Sequence, residues 1–186
     1  MLPTRFWLTA GKGESESSEL ESIDSAFMDA GIGYQNHVAV SSIPPKEEIY
    51  PKVDSERGIT YVPVNGELML LPFSSIIHVV RSMNKGNKGD KISCCIALAK
   101  IETDVAGKSI ECVLAFEVQN SSLSKAEESA LEGIKKMVEL RDGRVQEDWG
   151  KSGYKLISSS LQIERQFGCV VAFVVFDPFT YGKIRI

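Results

Sequence analysis

The chain reads as a single α/β or α+β domain, with helices set against a mostly internal sheet. Three observations predict this. Apolar runs of strand length recur through most of the sequence, at residues 6–10, 38–40, 59–64, 68–71, 76–80, 92–99, 110–118 and 169–176. Two other stretches carry apolar residues at helical spacing. The last run, Cys169 to Phe176, is apolar without alternation, so both of its faces are covered and it belongs in the interior. A length of 186 residues, 43% of them hydrophobic and 25% charged, suits one domain with a sizeable core.

Taken in order, Phe6 to Ala10 is the first strand, and Gly11 and Gly13 are expected to break it. A polar loop follows from Glu14 to Glu19. Leu20, Ile23, Phe27 and Ala30 then line one face of a helix, with Gly31 as its C-cap and Gly33 loosening the exit. Val38-Ala39-Val40 is a short strand that runs into Ser41-Ser42 and is stopped by Pro44-Pro45. Ile59 to Val64, Leu68 to Leu71, Ile76 to Val80 and Ile92 to Ala99 are extended. The basic, glycine-bearing stretch with Lys85, Lys88 and Lys91 reads as a solvated hairpin tip between the last two. Ile110 to Val118 is a further strand. Ser124 and Glu127 have capping-box spacing. They open a helix whose apolar face is Ala126, Ala130, Ile134, Met137 and Val138, and Asp142-Gly143 ends it. Tyr154 to Leu161 is extended and precedes the central strand.

The formal net charge of −4 does not favour nucleic acid or an anionic membrane as partner, and it leaves room for a cationic ligand. Cys94, Cys95, Cys112 and Cys169 all sit in apolar runs with no CxxC pair, which predicts buried reduced thiols and no zinc or other metal site. No segment approaches the roughly 20 apolar residues of a membrane span. The N-terminal apolar stretch is too short and mixed for a signal peptide. A cytoplasmic protein is expected.

Val40-Ser41-Ser42-Ile43-Pro44-Pro45 carries the chemical reading. Decarboxylation of an amino acid needs an electron sink that no side chain supplies. No phosphate cup for pyridoxal phosphate can be assigned, and a carbonyl made from the chain itself meets the need. The Ser42 hydroxyl attacks the Ser41 carbonyl, the resulting ester eliminates to dehydroalanine, and hydrolysis leaves a pyruvoyl group at position 42. The attack creates an oxyanion that wants fixed donors. The Asn36 amide is a candidate, its plainer reading being a turn residue after Gly33. Pro44 and Pro45 either hold the bond in a strained, exposed geometry or simply terminate the strand.

These residues resemble the pyruvoyl-dependent arginine decarboxylase family. The similarity runs through Thr9-Ala10-Gly11 with Gly13-Glu14, Asp24-Ser25-Ala26, Asp29-Ala30-Gly31-Ile32-Gly33, Asn36, and the serine segment with Ile49 and Pro51, and closes with Phe167-Gly168-Cys169. The resemblance implies cleavage into a β chain, residues 1–41, and an α chain, residues 42–186, assembled as a trimer of such pairs with active sites between subunits. It implies a four-layer αββα sandwich and conversion of L-arginine to agmatine and carbon dioxide, on the route to polyamines. It assigns Asn36 to cleavage and Asp24 to the guanidinium group of the substrate. A carboxylate suits that task, since it grips a planar guanidinium with two parallel hydrogen bonds.

The substrate amine forms a Schiff base with the ketone, and a general acid must then protonate the carbon that loses carbon dioxide. The family uses a glutamate, and the matching position here is Ala115. Glu117 lies two residues on, on the same strand face and about 6–7 Å away. A bulge or small register shift would bring it into place; without one, its side chain is expected to fall short. Glu117 stands in an otherwise apolar run that suits a proton donor, or else it reaches solvent at a strand end. Glu111 shares the face but sits further back. The stretch Glu14 to Glu21 is longer and more acidic than the family's usual turn, and the loop around Lys85 to Lys91 is extended. Another basic amino acid therefore stands as an alternative substrate. An uncleaved, noncatalytic relative that binds a cation is a third reading.

Overall fold

The computed structural model describes residues 2–182. In chain order the elements are β1 (Leu2–Pro3), β2 (Arg5–Ser15), α1 (Glu19–Asp29), β3 (Asn36–Ala39), β4 (Glu47–Glu48), β5 (Lys52–Asp54), β6 (Ile59–Val64) and β7 (Glu67–Leu70). Then come β8 (Ile76–Asn87), β9 (Lys91–Val105), β10 (Lys108–Asn120), α2 (Leu123–Glu139), β11 (Arg144–Val145), β12 (Tyr154–Gln162), β13 (Phe167–Phe176) and β14 (Tyr181–Gly182). The fold is a single mixed α+β domain. Its main sheet runs β3-β8-β13-β2-β4, with β13 in the middle as its apolar run requires. A second sheet has β9 at its centre, flanked by β10 on one side and by β11 and β12 on the other. The short strands β5, β6 and β7 form a third.

Burial explains why the central strands read as continuous apolar runs. Along β13, Cys169, Val171, Phe173 and Val175 face Ala26 and Ala30 of α1, while Val170, Ala172, Val174 and Phe176 face the second sheet. Along β9, Cys94, Ile96 and Leu98 meet those β13 residues, and Cys95, Ala97, Ala99 and Ile101 face Ala126, Ala130, Ile134 and Val138 of α2. Each strand thus feeds two apolar cores, one per face. Burial pushes the thiols of Cys94, Cys95 and Cys169 up to about 12, so they are packing groups rather than nucleophiles. Among the described residues no helix is long and apolar enough to cross a membrane.

Gly11 and Gly13 do not break β2, which runs unbroken to Ser15. They are needed because α1 lies directly on them. A Cβ on Gly11 would sit 2.2 Å from the Ala26 carbonyl oxygen, and one on Gly13 would sit 2.5 Å from the Ala26 nitrogen. The same contact rotates α1 relative to its expected face: small Ser22 and Ala26 meet the glycines, and Leu20 is left 74% exposed. Gly31, at φ +75°, does end this helix. Its N–H bonds the Met28 carbonyl while the Ile32 N–H reaches the Phe27 carbonyl, the paired bonds of a Schellman ending. Gly11→Ala is expected to destabilise the chain by about 1–3 kcal/mol, because backbone rather than a flexible side chain must give way. A shift of the urea midpoint measures it.

Three other expectations are corrected. The stretch around Lys88 is not a hairpin tip, since β8 and β9 belong to different sheets and the turn carries the chain from one to the other. The Ser124–Glu127 capping box does not form. Ser122 is the N-cap, and Glu127 instead accepts a 2.7 Å hydrogen bond from Ser158 Oγ, tying α2 to β12. That helix ends at Glu139, ahead of Asp142-Gly143, and Asp142 takes the left-handed turn at φ +48°.

Candidate active site

Sequence and topology bring the serine segment to the seam between the two large sheets. β3 is an edge strand, parallel to β8, and its pairing is extended by the Val40 N–H on the Val79 carbonyl at 3.0 Å. The chain then leaves this sheet. The Ala115 N–H of β10, at the edge of the second sheet, donates to the Ser42 carbonyl at 3.0 Å. Pro44 and Pro45 are buried just beyond. β4 then pairs with β2, and Glu48 forms an ion pair with Lys155 of β12, whose ammonium also lies over the Trp149 ring. The Ser41–Ser42 bond is thus clamped on both sides by separate elements. Its backbone is not in the left-handed region at either serine, so the prolines impose no strain of that kind.

Within this clamp Ser42 is half-buried and donates its hydroxyl to both oxygens of Glu117, at 3.2 Å each. No bulge is needed. β10 and β9 keep one unbroken register from Lys108–Val105 to Asn120–Ser93. Glu117 reaches Ser42 because the serine segment itself comes down against β10. Ala115 is fully buried in the core between the sheets. Position 115 thus holds the serine through its backbone, and position 117 holds it through its side chain. Glu111 is engaged elsewhere: it meets Lys100 Nζ at 2.9 Å and accepts from Gln146 Nε2 at 2.7 Å, both of which keep its carboxyl below the usual range.

Asn36 and Asp24 are not brought to this point within one chain. Asn36 opens β3, and its side-chain amide donates to the Ser74 carbonyl at 3.1 Å, away from the serine pair at the other end of the strand. His37 follows it, packed edge-on to Phe27 and bonded through Nε2 to the Ile32 carbonyl at 3.0 Å. Burial holds its ring below the usual histidine range, so it serves as a neutral anchor for β3. Asp24 is exposed on α1 and lines an open cleft of about 440 Å³ with Glu14, Glu16, Glu21 and Arg165.

Sequence reasoning missed two groups at the site, both of them backbone. One is the Ala115 N–H. The other is the N–H of Ile43, which donates to the Ser41 carbonyl at 2.8 Å. Every residue but proline carries such a donor, so residue type does not single them out. The one signal nearby is that Pro44 and Pro45 have no N–H at all.

A serine hydroxyl held by a carboxylate, beside an upstream peptide carbonyl, is the arrangement wanted by an enzyme that makes its carbonyl cofactor from its own chain. A family model described as pyruvoyl-dependent arginine decarboxylase (PvlArgDC) matches residues 5–180, and the chain belongs to that family. The family is one of lyases, and its name specifies a pyruvoyl group. Two curated relatives carry the same description. The protein of Methanopyrus kandleri is 25% identical over 176 residues, 94% of this chain and 97% of that one. The protein of Methanococcus aeolicus is 42% identical over 57 residues, 30% of this chain and about a third (34%) of that relative's length.

Proposed function

We propose that this chain, as a pyruvoyl-dependent arginine decarboxylase by family, cuts its own Ser41–Ser42 bond and converts L-arginine to agmatine and carbon dioxide. The observation that carries the reading is the contact of Ser42 Oγ with both Glu117 oxygens at 3.2 Å. The pyruvoyl group supplies the electron sink for loss of carbon dioxide. Glu117 then serves as the general acid at the carbon atom left behind. The Ala115 N–H keeps the carbonyl of residue 42 against β10, so the group derived from Ser42 stays beside its proton donor.

Processing would leave residues 1–41 and 42–186 as the β and α chains. Both flanks of the bond are anchored independently, β3 on β8 and β4 on β2, which supports a cut that releases neither fragment. We assign Asp24 to the substrate guanidinium, in keeping with its acidic cleft. Since Asp24 and Asn36 lie apart from Ser42 in one chain, we assign them to a site completed by a second chain of a homotrimer. Exposed Tyr34, Val38, Leu70, Phe73 and Ile76, on and beside β3 and β7, support such an intersubunit face. The successive cores, α1 to first sheet to second sheet to α2, support a four-layer αββα order. Free thiols suit a reducing cytoplasm.

A substrate panel tests the reading. Purified protein offered L-arginine, L-lysine, L-ornithine and L-histidine separately should release carbon dioxide from arginine at least about tenfold faster than from the others, because a fork of two hydrogen bonds discriminates strongly. Faster release from lysine or ornithine would contradict the guanidinium assignment. No release from any of them would favour a noncatalytic relative.

A further inference from the structure

We propose that the backbone N–H of Ile43 holds the oxyanion formed during self-cleavage and thereby selects Ser42, rather than Ser41, as the attacking residue; this rests on the reading of Ser42 as the pyruvoyl precursor. The two serines are adjacent and chemically identical. Each hydroxyl has the same reaction open to it, Ser42 on the carbonyl carbon of Ser41 and Ser41 on that of Val40. Local geometry separates them.

The Ile43 N–H donates to the Ser41 carbonyl oxygen at 2.8 Å, closing a three-residue turn centred on Ser42. The φ of Ser42 is not positive, so this is the relaxed, inverse form of the turn. The carbonyl that must be attacked is therefore already polarised by a fixed donor. The hydroxyl that must attack it is already oriented on Glu117. Neither holds for the alternative pair. Ser41 is exposed, and among the described residues no donor meets the Val40 carbonyl. The prolines acquire a second role from this. They lack an N–H, so Ile43 is the last backbone donor before Lys46, and their fixed φ and burial keep the chain from swinging that donor away.

The step balances within the chain. Ser42 Oγ bonds to the Ser41 carbonyl carbon, and the π electron pair moves onto the carbonyl oxygen, where the Ile43 N–H meets it. Collapse of the adduct breaks the carbon–nitrogen bond, and the hydroxyl proton ends on the nitrogen of residue 42. An amide has become an ester with no other reactant. A neutral donor strengthens as its acceptor gains charge, so the contribution of this N–H is larger in the adduct than in the resting chain.

The test removes that N–H in two ways, because an ester at this position also weakens the Ser42 carbonyl as the acceptor of the Ala115 N–H, whereas Ile43→Pro keeps that carbonyl an amide. The α-hydroxy analogue of isoleucine, encoded at position 43, replaces the amide with an ester and leaves every side chain in place. Cleavage is followed by intact mass after cell-free synthesis, with Ile43→Ala as the variant that keeps the N–H. The ester chain should mature about a hundredfold more slowly, and Ile43→Ala at the rate of the unaltered chain. Ile43→Pro should follow the ester chain. An ester chain that matures as fast as the unaltered one overturns the proposal. So does an Ile43→Ala chain as slow as the ester, because loss of the side chain would then account for the effect. An unaltered chain that never cleaves would refute the reading of Ser42 itself, so the two failures are distinct.

Discussion

Ser42→Ala should remain one chain of 20.5 kDa and release no carbon dioxide from arginine. The substitution removes one oxygen from a half-buried side chain and leaves the clamp intact, since Val40, Ala115 and β4 act through backbone bonds. The fold should therefore persist, with an unchanged far-ultraviolet circular dichroism spectrum. What is lost is the hydroxyl that Glu117 holds, on the residue directly after the Ser41 carbonyl. The variant still contains Ser41, so it also asks whether either serine suffices. A cut at Val40–Ser41 in this variant, or a folded variant that still decarboxylates arginine, would contradict the assignment.

Glu117→Gln should separate the two stages of the chemistry. Glutamine retains an acceptor oxygen where Ser42 needs one, so cleavage should go to completion. It has no proton to give at the carbon atom that loses carbon dioxide, so turnover should fall by about a hundredfold or more. The effect should appear in kcat, with KM little changed, because Glu117 is paired with Ser42 rather than placed in the acidic cleft of Asp24. Unimpaired turnover in the cleaved variant would remove Glu117 from the mechanism. The proton cannot come from position 115. That side chain is enclosed with Val113, Ala172 and Val174, and a carboxylate there would be buried without a partner.

How far the chain could be read without coordinates follows from what kind of group does each job. β13 and α2 were legible because burial on a strand or helix face demands a particular residue type, and the apolar runs record it. The serine segment was legible because hydroxyl chemistry needs a hydroxyl. Gly11 and Gly13 were misread as strand breakers because glycine serves both turns and close approach, and only the position of α1 distinguishes them. Strand spacing alone understates the reach of Glu117, which meets Ser42 with no bulge in β10. The descent of the serine segment onto that strand is a tertiary fact. The loop at Lys88 has the composition of a hairpin tip, and nothing local says that its two strands part into different sheets.

Intact mass of the purified, unaltered chain under denaturing conditions bears on all of this at once. Two species are expected, residues 1–41 and residues 42–186, the larger blocked at its first residue and reactive toward carbonyl reagents. Under native conditions they should stay together, because β2 pairs with β13 from Phe6–Phe176 to Ser15–Phe167. A single full-length species that nonetheless decarboxylates arginine would contradict the assignment of Ser42 as the pyruvoyl precursor.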